Sequence, residues 1–151
     1  MIFIIVSLIL SLDQLTKILA TKNLVLNQSS SLINGILHLT LVHNRGAAFG
    51  ILKNQIHLFI FTSLFAIFLI YFNLKNNTYK KYSLFNISLG LILAGALGNL
   101  IDRLFLGYVV DFIDFRIWPV FNIADSAITI GAIMLGYYIL MSKTTTKTLK
   151  S

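Results

Sequence analysis

The chain has 151 residues, 57% of them hydrophobic and 11% charged, with a mean hydropathy of +0.85 and a net charge of +7. Soluble domains carry about a quarter charged residues, so this composition excludes one and points to an integral membrane protein of a single domain. The absence of cysteine excludes disulfides and thiolate chemistry, and the positive charge reads as topology and contact with anionic lipid rather than nucleic-acid binding.

Residues 2–20 are long and apolar enough to cross a bilayer as a helix. They lack a basic leading region and carry Asp13 and Lys17, which argues against a cleaved signal peptide. Asp13 and Lys17 stand four residues apart, so they share a helix face and can pair. The pair reads equally well as a structural ion pair or as the lining of a polar cavity. Residues 21–54 do not span. Within them, residues 37–41 alternate apolar and polar as a short strand does. The small residues after Asn44 and Arg45 read on spacing alone as a turn. The three histidines, His38, His43 and His57, fit no zinc spacing.

Residues 55–74 form a second span, rich in Phe, Ile and Leu, and residues 75–82 a short loop with Lys75, Lys80 and Lys81. Residues 83–101 form a third span. Its Gly90, Ala94 and Gly98 make a small-residue ridge suited to tight helix packing, and Gly95, Asn99 and Asp102 fall on a neighbouring face. Trp118 suits the headgroup level, and Pro119 breaks helix before a fourth span at residues 122–141. In that span Asn122, Asp125 and Thr129 share a face. The remaining tail, residues 142–151, reads as frayed.

All five acidic residues are aspartates, and four of them, Asp102, Asp111, Asp114 and Asp125, fall within one stretch of 24 residues. A carboxylate is costly in a chain this apolar, so the cluster requires a purpose. Four spans place both termini on one side. Basic residues are densest in the 75–82 loop and the tail, which puts that side in the cytoplasm. The four clustered aspartates then lie at the outer interface. Asp13, about 16 Å along its helix at 1.5 Å per residue, tilts toward the same side. Paired aspartates without metal, thiol or basic histidine suit an aspartyl protease, in which two close carboxylates share a proton. Two rivals stand beside it: a serine/lysine peptidase using Ser126 and Lys17, and a proton-coupled transporter.

Five ordered motifs sharpen this reading. They are Asp13-Gln14-Leu15-Thr16-Lys17, Asn44-Arg45-Gly46-Ala47-Ala48-Phe49, Gly95-Ala96-Leu97-Gly98-Asn99-Leu100-Ile101-Asp102-Arg103, Val109-Val110-Asp111-Phe112 and Phe121-Asn122-Ile123-Ala124-Asp125. With them the chain resembles the lipoprotein signal peptidases, the bacterial signal peptidase II family, over essentially its whole length. The resemblance implies an all-α membrane protein of four transmembrane helices with a small extracytoplasmic β-cradle. It implies an aspartyl endopeptidase of the bacterial cell (inner) membrane, active near the outer leaflet as a monomer without cofactor or metal. Its partners would be membrane lipid and the signal peptide of a prolipoprotein, cut just before a diacylglyceryl-modified cysteine. Matched to the family motifs, Asp111 and Asp125 are the catalytic dyad. Asn44, Asn99, Arg103 and Asn122 line or support the substrate site, and Asp13, Lys17 and Asp102 are supporting positions. Asp114 falls outside the motifs and reads as a loop or interface residue.

The topology is testable with single cysteines at Asn27 and Asn77 and a membrane-impermeant thiol reagent on intact cells whose outer envelope is permeabilised. Position 27 is expected to label and position 77 to stay protected; the reverse pattern overturns the orientation.

Overall fold

The computed structural model describes residues 2–46, 55–75 and 83–148. Of the basic loop between the second and third spans, Lys75 ends the second helix and residues 76–82 lie outside the described residues, as do Ala47, Ala48 and Phe49 of the second motif. Four helices are long and apolar enough to cross a membrane: α1 (Ile2–Asn23), α2 (Ile56–Lys75), α3 (Leu84–Phe105) and α4 (Ile123–Thr148). Each runs close to the expected span, with ends shifted by a few residues. The tail expected to fray continues α4 as far as Thr148.

Helix α3 is the centre of the bundle. Of its span, 56% is buried, against 6% for α2. Its start is set by Ser83, whose hydroxyl accepts the Asn86 N–H at 3.3 Å as an N-cap. Its end is set by the Leu106 N–H bonding the Asp102 carbonyl at 2.8 Å, with Gly107 at φ +78° turning the chain away. The apolar residues that α1, α2 and α4 leave exposed form the surface that a bilayer covers.

A three-stranded antiparallel sheet caps one end of the bundle, in the order β1 (Ser29–Ile33), β2 (Leu37–Asn44), β3 (Val109–Asp114). The alternating run at 37–41 is the first part of β2. Strand β1 was not apparent in the sequence: it is serine-rich and exposed throughout, so no apolar alternation marks it. Strand β3 is buried along almost its whole length. Ala20 of α1, Leu41, Val110 and Phe112 form a core that seats the sheet on the helices. After β3 the chain doubles back. Phe121 exchanges backbone hydrogen bonds with Ile113 at 2.8 and 3.0 Å, which returns the start of α4 to the side of β3.

Small residues let the helices approach. A Cβ on Gly95 would collide with the Ala124 carbonyl of α4, and one on Gly98 would lie 2.5 Å from Asp13 Oδ2. Gly90 has ordinary clearance from Ile5 and Ile2 of α1. The packing role expected for the ridge is therefore concentrated at Gly98, and Gly95 on the adjoining face is at least as constrained. Gly95→Ala and Gly98→Ala are expected to cut the yield of folded, detergent-extracted protein at least several-fold, because backbone or a buried ion must move. Gly136→Ala, with open space around it, is expected to leave yield unchanged; size-exclusion profiles of the three variants check this.

Candidate active site

The site is built outward from a buried cation. Lys17 Nζ lies 2.9 Å from Asp13 Oδ2, 2.9 Å from Asp102 Oδ2 and 3.0 Å from Asn99 Oδ1. An ammonium has three protons and no lone pair, so three acceptors satisfy it completely. Asp13 is wholly buried and Lys17 and Asp102 nearly so. The pair read from the spacing of α1 is thus one side of a larger cluster that also joins α3. The Asp13–Lys17 pair expected from their spacing is present, and both carboxylates are also shared outward. Asp13 Oδ1 accepts the Ala124 N–H in the first turn of α4 at 2.9 Å, and Asp102 Oδ2 accepts the Val110 N–H of β3 at 3.0 Å. Gln14, which sequence reasoning passed over, donates to Asp13 Oδ2 at 3.1 Å and to Asp102 Oδ1 at 3.2 Å. It lies within the first motif, but nothing in its helical spacing announces this bridging.

Because Lys17 only donates, it turns the Asn99 oxygen toward itself, which aims the Asn99 amide nitrogen the other way. Asn99 Nδ2 donates to Asp125 Oδ1 at 2.7 Å. Asn122 completes the mirror arm, donating from Nδ2 to Asp111 Oδ1 at 2.7 Å and to Asn99 Oδ1 at 3.1 Å. Asn44 at the end of β2 donates to the second Asp111 oxygen at 2.9 Å, while its own oxygen accepts the Gly46 N–H. Asn122 and Asp125 also form a capping box on α4. The Asp125 N–H bonds Asn122 Oδ1 at 2.8 Å, and Asp125 Oδ2 reaches back to the Asn122 N–H at 3.4 Å. The Asn-x-x-Asp spacing was a readable signal for this box.

Asp111 and Asp125 therefore face one another across a shared framework of amides. They line a cavity of about 280 Å³ together with Asn44, Asn99, Arg103 and Thr129. Burial, and then the nearby Asp125 carboxylate, push the Asp111 pKa up to about 7 against the pull of the Asn44 and Asn122 amides. Arg103 lines the same cavity and sits over the Phe59 ring of α2 at 5.1 Å, with one guanidinium nitrogen 3.4 Å from the Asn99 carbonyl.

Asp114 stands apart. It closes β3 rather than occupying a loop, accepting from Thr40 Oγ1 at 2.7 Å and from the Arg116 N–H at 2.8 Å. Burial would raise its pKa, but Thr40, the Arg116 N–H and the Arg116 guanidinium together hold it below the ordinary value. Its role is to fix the turn in which Arg116 takes a φ of +67°. The serine/lysine alternative lacks its geometry: Ser126 Oγ donates to the Asn122 carbonyl at 2.9 Å, and Lys17 is spent on its three acceptors. His38 contacts Ser29 and Arg116 on the sheet, and His43 stacks on Tyr108 with ring centroids 3.9 Å apart.

The model of the Peptidase_A8 family, described as signal peptidase (SPase) II, matches residues 5–141. The chain belongs to the signal peptidase II family. A lipoprotein signal peptidase of Caldanaerobacter subterraneus subsp. tengcongensis is 52% identical over 139 residues, covering 91% of this chain and 94% of that one. That of Halothermothrix orenii is 46% identical over 140 residues, covering 92% and 94%. The fold is similar to a solved bacterial membrane enzyme with a TM-score of 0.90 at 32% identity, covering 95% of this chain and 90% of that one. A second bacterial membrane enzyme superposes with a TM-score of 0.84 at 33% identity, covering 92% of each. As a signal peptidase II the chain is an aspartyl peptidase, and its multi-pass membrane architecture follows from the four apolar helices.

The raised Asp111 pKa has a stability consequence. Between the ordinary carboxyl value of 3.8 and about 7, the folded chain keeps a proton that the unfolded chain has lost. Stability contributed by that retained proton is present at low pH and declines as pH rises through this window. From about pH 5 to about pH 8 the wild-type thermal midpoint in detergent is expected to fall roughly 5 °C further than that of Asp111→Asn, which cannot titrate. Parallel slopes in the two proteins would contradict the assignment.

Proposed function

We propose that the chain cleaves the signal peptide of prolipoproteins just before a diacylglyceryl-modified cysteine, with Asp111 and Asp125 as the catalytic dyad. One observation carries this: a buried carboxylate, Asp111, and a half-buried one, Asp125, line one cavity, each oriented by an asparagine amide, and Asp111 has its pKa lifted by burial and by Asp125. Two carboxylates this coupled hold one proton between them near neutral pH. The ionised member takes a proton from water as the water oxygen adds to the scissile carbonyl carbon. The protonated member hydrogen-bonds the carbonyl oxygen as charge grows on it. Collapse of the tetrahedral adduct returns a proton to the departing amide nitrogen, which becomes the amino group of the lipidated cysteine.

The other residues support this chemistry from the positions already described. Asn44, Asn99 and Asn122 set the dyad's orientation, and Arg103 brings positive charge to the cavity that receives substrate. Asp13, Lys17 and Asp102 hold the helices that carry the dyad. The chain acts as one domain over residues 1–151, as a monomer in the bacterial cell membrane, in contact with membrane lipid. Both termini are cytoplasmic and the site lies near the outer leaflet. Basic residue density supports that orientation, and the sheet and the two aspartates lie at the end of the bundle opposite the start of α1 and the end of α4. A substrate already inserted in the bilayer meets such a site without being extracted.

Asp→Asn keeps the shape and removes the titrating group. Asp111→Asn and Asp125→Asn are each expected to lower turnover of a diacylglyceryl prolipoprotein by about a thousandfold or more while folded yield is kept, and the double variant to be no worse than either, since the two act as a unit. Asp114→Asn and Ser126→Ala are expected to retain substantial turnover. Near-normal cleavage by either dyad variant would sink the aspartyl assignment.

A further inference from the structure

Beside the polar cavity runs a second, mainly apolar groove of about 410 Å³. It shares Trp118, Phe121, Asp125 and Thr129 with the cavity and continues along α4 to Ile130. Its far wall is the connection between β3 and α4. Phe115 and Phe121 stack there at a centroid distance of 5.9 Å, and Ile117 and Trp118 stand 91% and 61% exposed. Ile130, half exposed, opens the other wall onto the apolar face of the bundle.

The groove's two hydroxyls are already committed. Ser126 Oγ donates to the Asn122 carbonyl at 2.9 Å, and Thr129 Oγ1 to the Asp125 carbonyl at 2.8 Å. They have no proton left for a ligand and offer only acceptor lone pairs, while the rest of the lining is chiefly apolar. An extended peptide laid here would leave backbone groups unsatisfied, a cost of several kcal/mol in an apolar setting. A helix satisfies its own backbone but is about 10–12 Å across, so roughly one turn would fill the whole volume. A hydrocarbon chain has no polar group to satisfy and is narrow enough to thread from the exposed end to Asp125.

We propose that this groove receives an acyl chain of the lipid-modified cysteine, guiding the scissile bond to the dyad. The proposal rests on the function given above. It concerns placement more than affinity, because an acyl chain gains little by moving from bilayer to groove. What the groove adds is orientation: a chain held between α4 and residues 115–118 sets the glyceryl-cysteine beside Asp125.

Photolabelling tests the groove independently of cleavage. The full-length Asp111→Asn protein in nanodiscs is mixed with a diacylglyceryl-cysteine prolipoprotein peptide bearing a diazirine midway along one acyl chain. Adducts are expected on Phe115, Ile117 and Ile130; adducts confined to α1 or α2 overturn the proposal. A second peptide carries the diazirine in its signal segment, and labelling of the groove by that probe alone gives the groove to the signal peptide instead. In the kinetic arm, the wild type and Ile130→Trp cleave two substrates that differ only in acyl length. The wild-type preference for the long chain, in kcat/KM, is expected to fall about tenfold in the variant; an unchanged preference overturns the proposal. If the wild type cleaves neither substrate, the proteolytic reading fails and the labelling still decides the groove.

Discussion

A single buried ammonium holds this structure together. Burying an ion costs several kcal/mol unless geometry and hydrogen bonding compensate, and Lys17 meets that condition with one acceptor for each proton. The acceptors come from α1 and α3, and the two carboxylates extend the contact to α4 and β3 through the Ala124 and Val110 N–H groups. Four elements that are distant in sequence are thereby fixed relative to one point. The same point orients Asn99, whose amide reaches Asp125. Stability and site geometry are not separable here: the hydrogen bonds that satisfy the ion are those that aim the dyad's partners.

Close packing makes this possible. Asp13 can reach the first turn of α4 only because Gly98 leaves it room and Gly95 lets the Ala124 carbonyl in. The small residues on α3 are therefore part of the electrostatics. A bulkier α3 would separate the carboxylates from the backbone donors that compensate them, leaving charge buried without partners.

Much of this was legible in the sequence, unevenly. The four spans follow from hydropathy, a local property, and only their ends moved. The Asp13–Lys17 contact follows from helical spacing, also local. Asp102 could not be joined to that pair by spacing, because the contact crosses from α1 to α3 and depends on how the helices pack. Strand β1 was hidden because its serines carry no alternation, and the burial of β3 on nearly every residue left no periodic signal. The proposed dyad, Asp111 and Asp125, rests on its motifs. From spacing alone, Asp114 is nearer to Asp111 than Asp125 is, and nothing local distinguishes them. What separates them is the return of Phe121 alongside Ile113, a pairing that brings Asp125 home and leaves Asp114 facing Thr40 and Arg116.

The hydrogen bond from the Ala124 N–H to Asp13 joins the first helix to the last. It gives the molecule an order of completion during synthesis. A ribosome-bound chain that has inserted α1, α2 and α3 already holds Lys17, both of its carboxylates and Asn99, yet has no Asp125 to complete a proteolytic centre. With Asp111 and Asp125 as the proposed dyad, hydrolytic competence would arrive only when the final helix docks its first turn against the helix made earliest. On that reading, a partly translated or truncated chain lacks the second carboxylate and is inert toward its neighbours in the membrane.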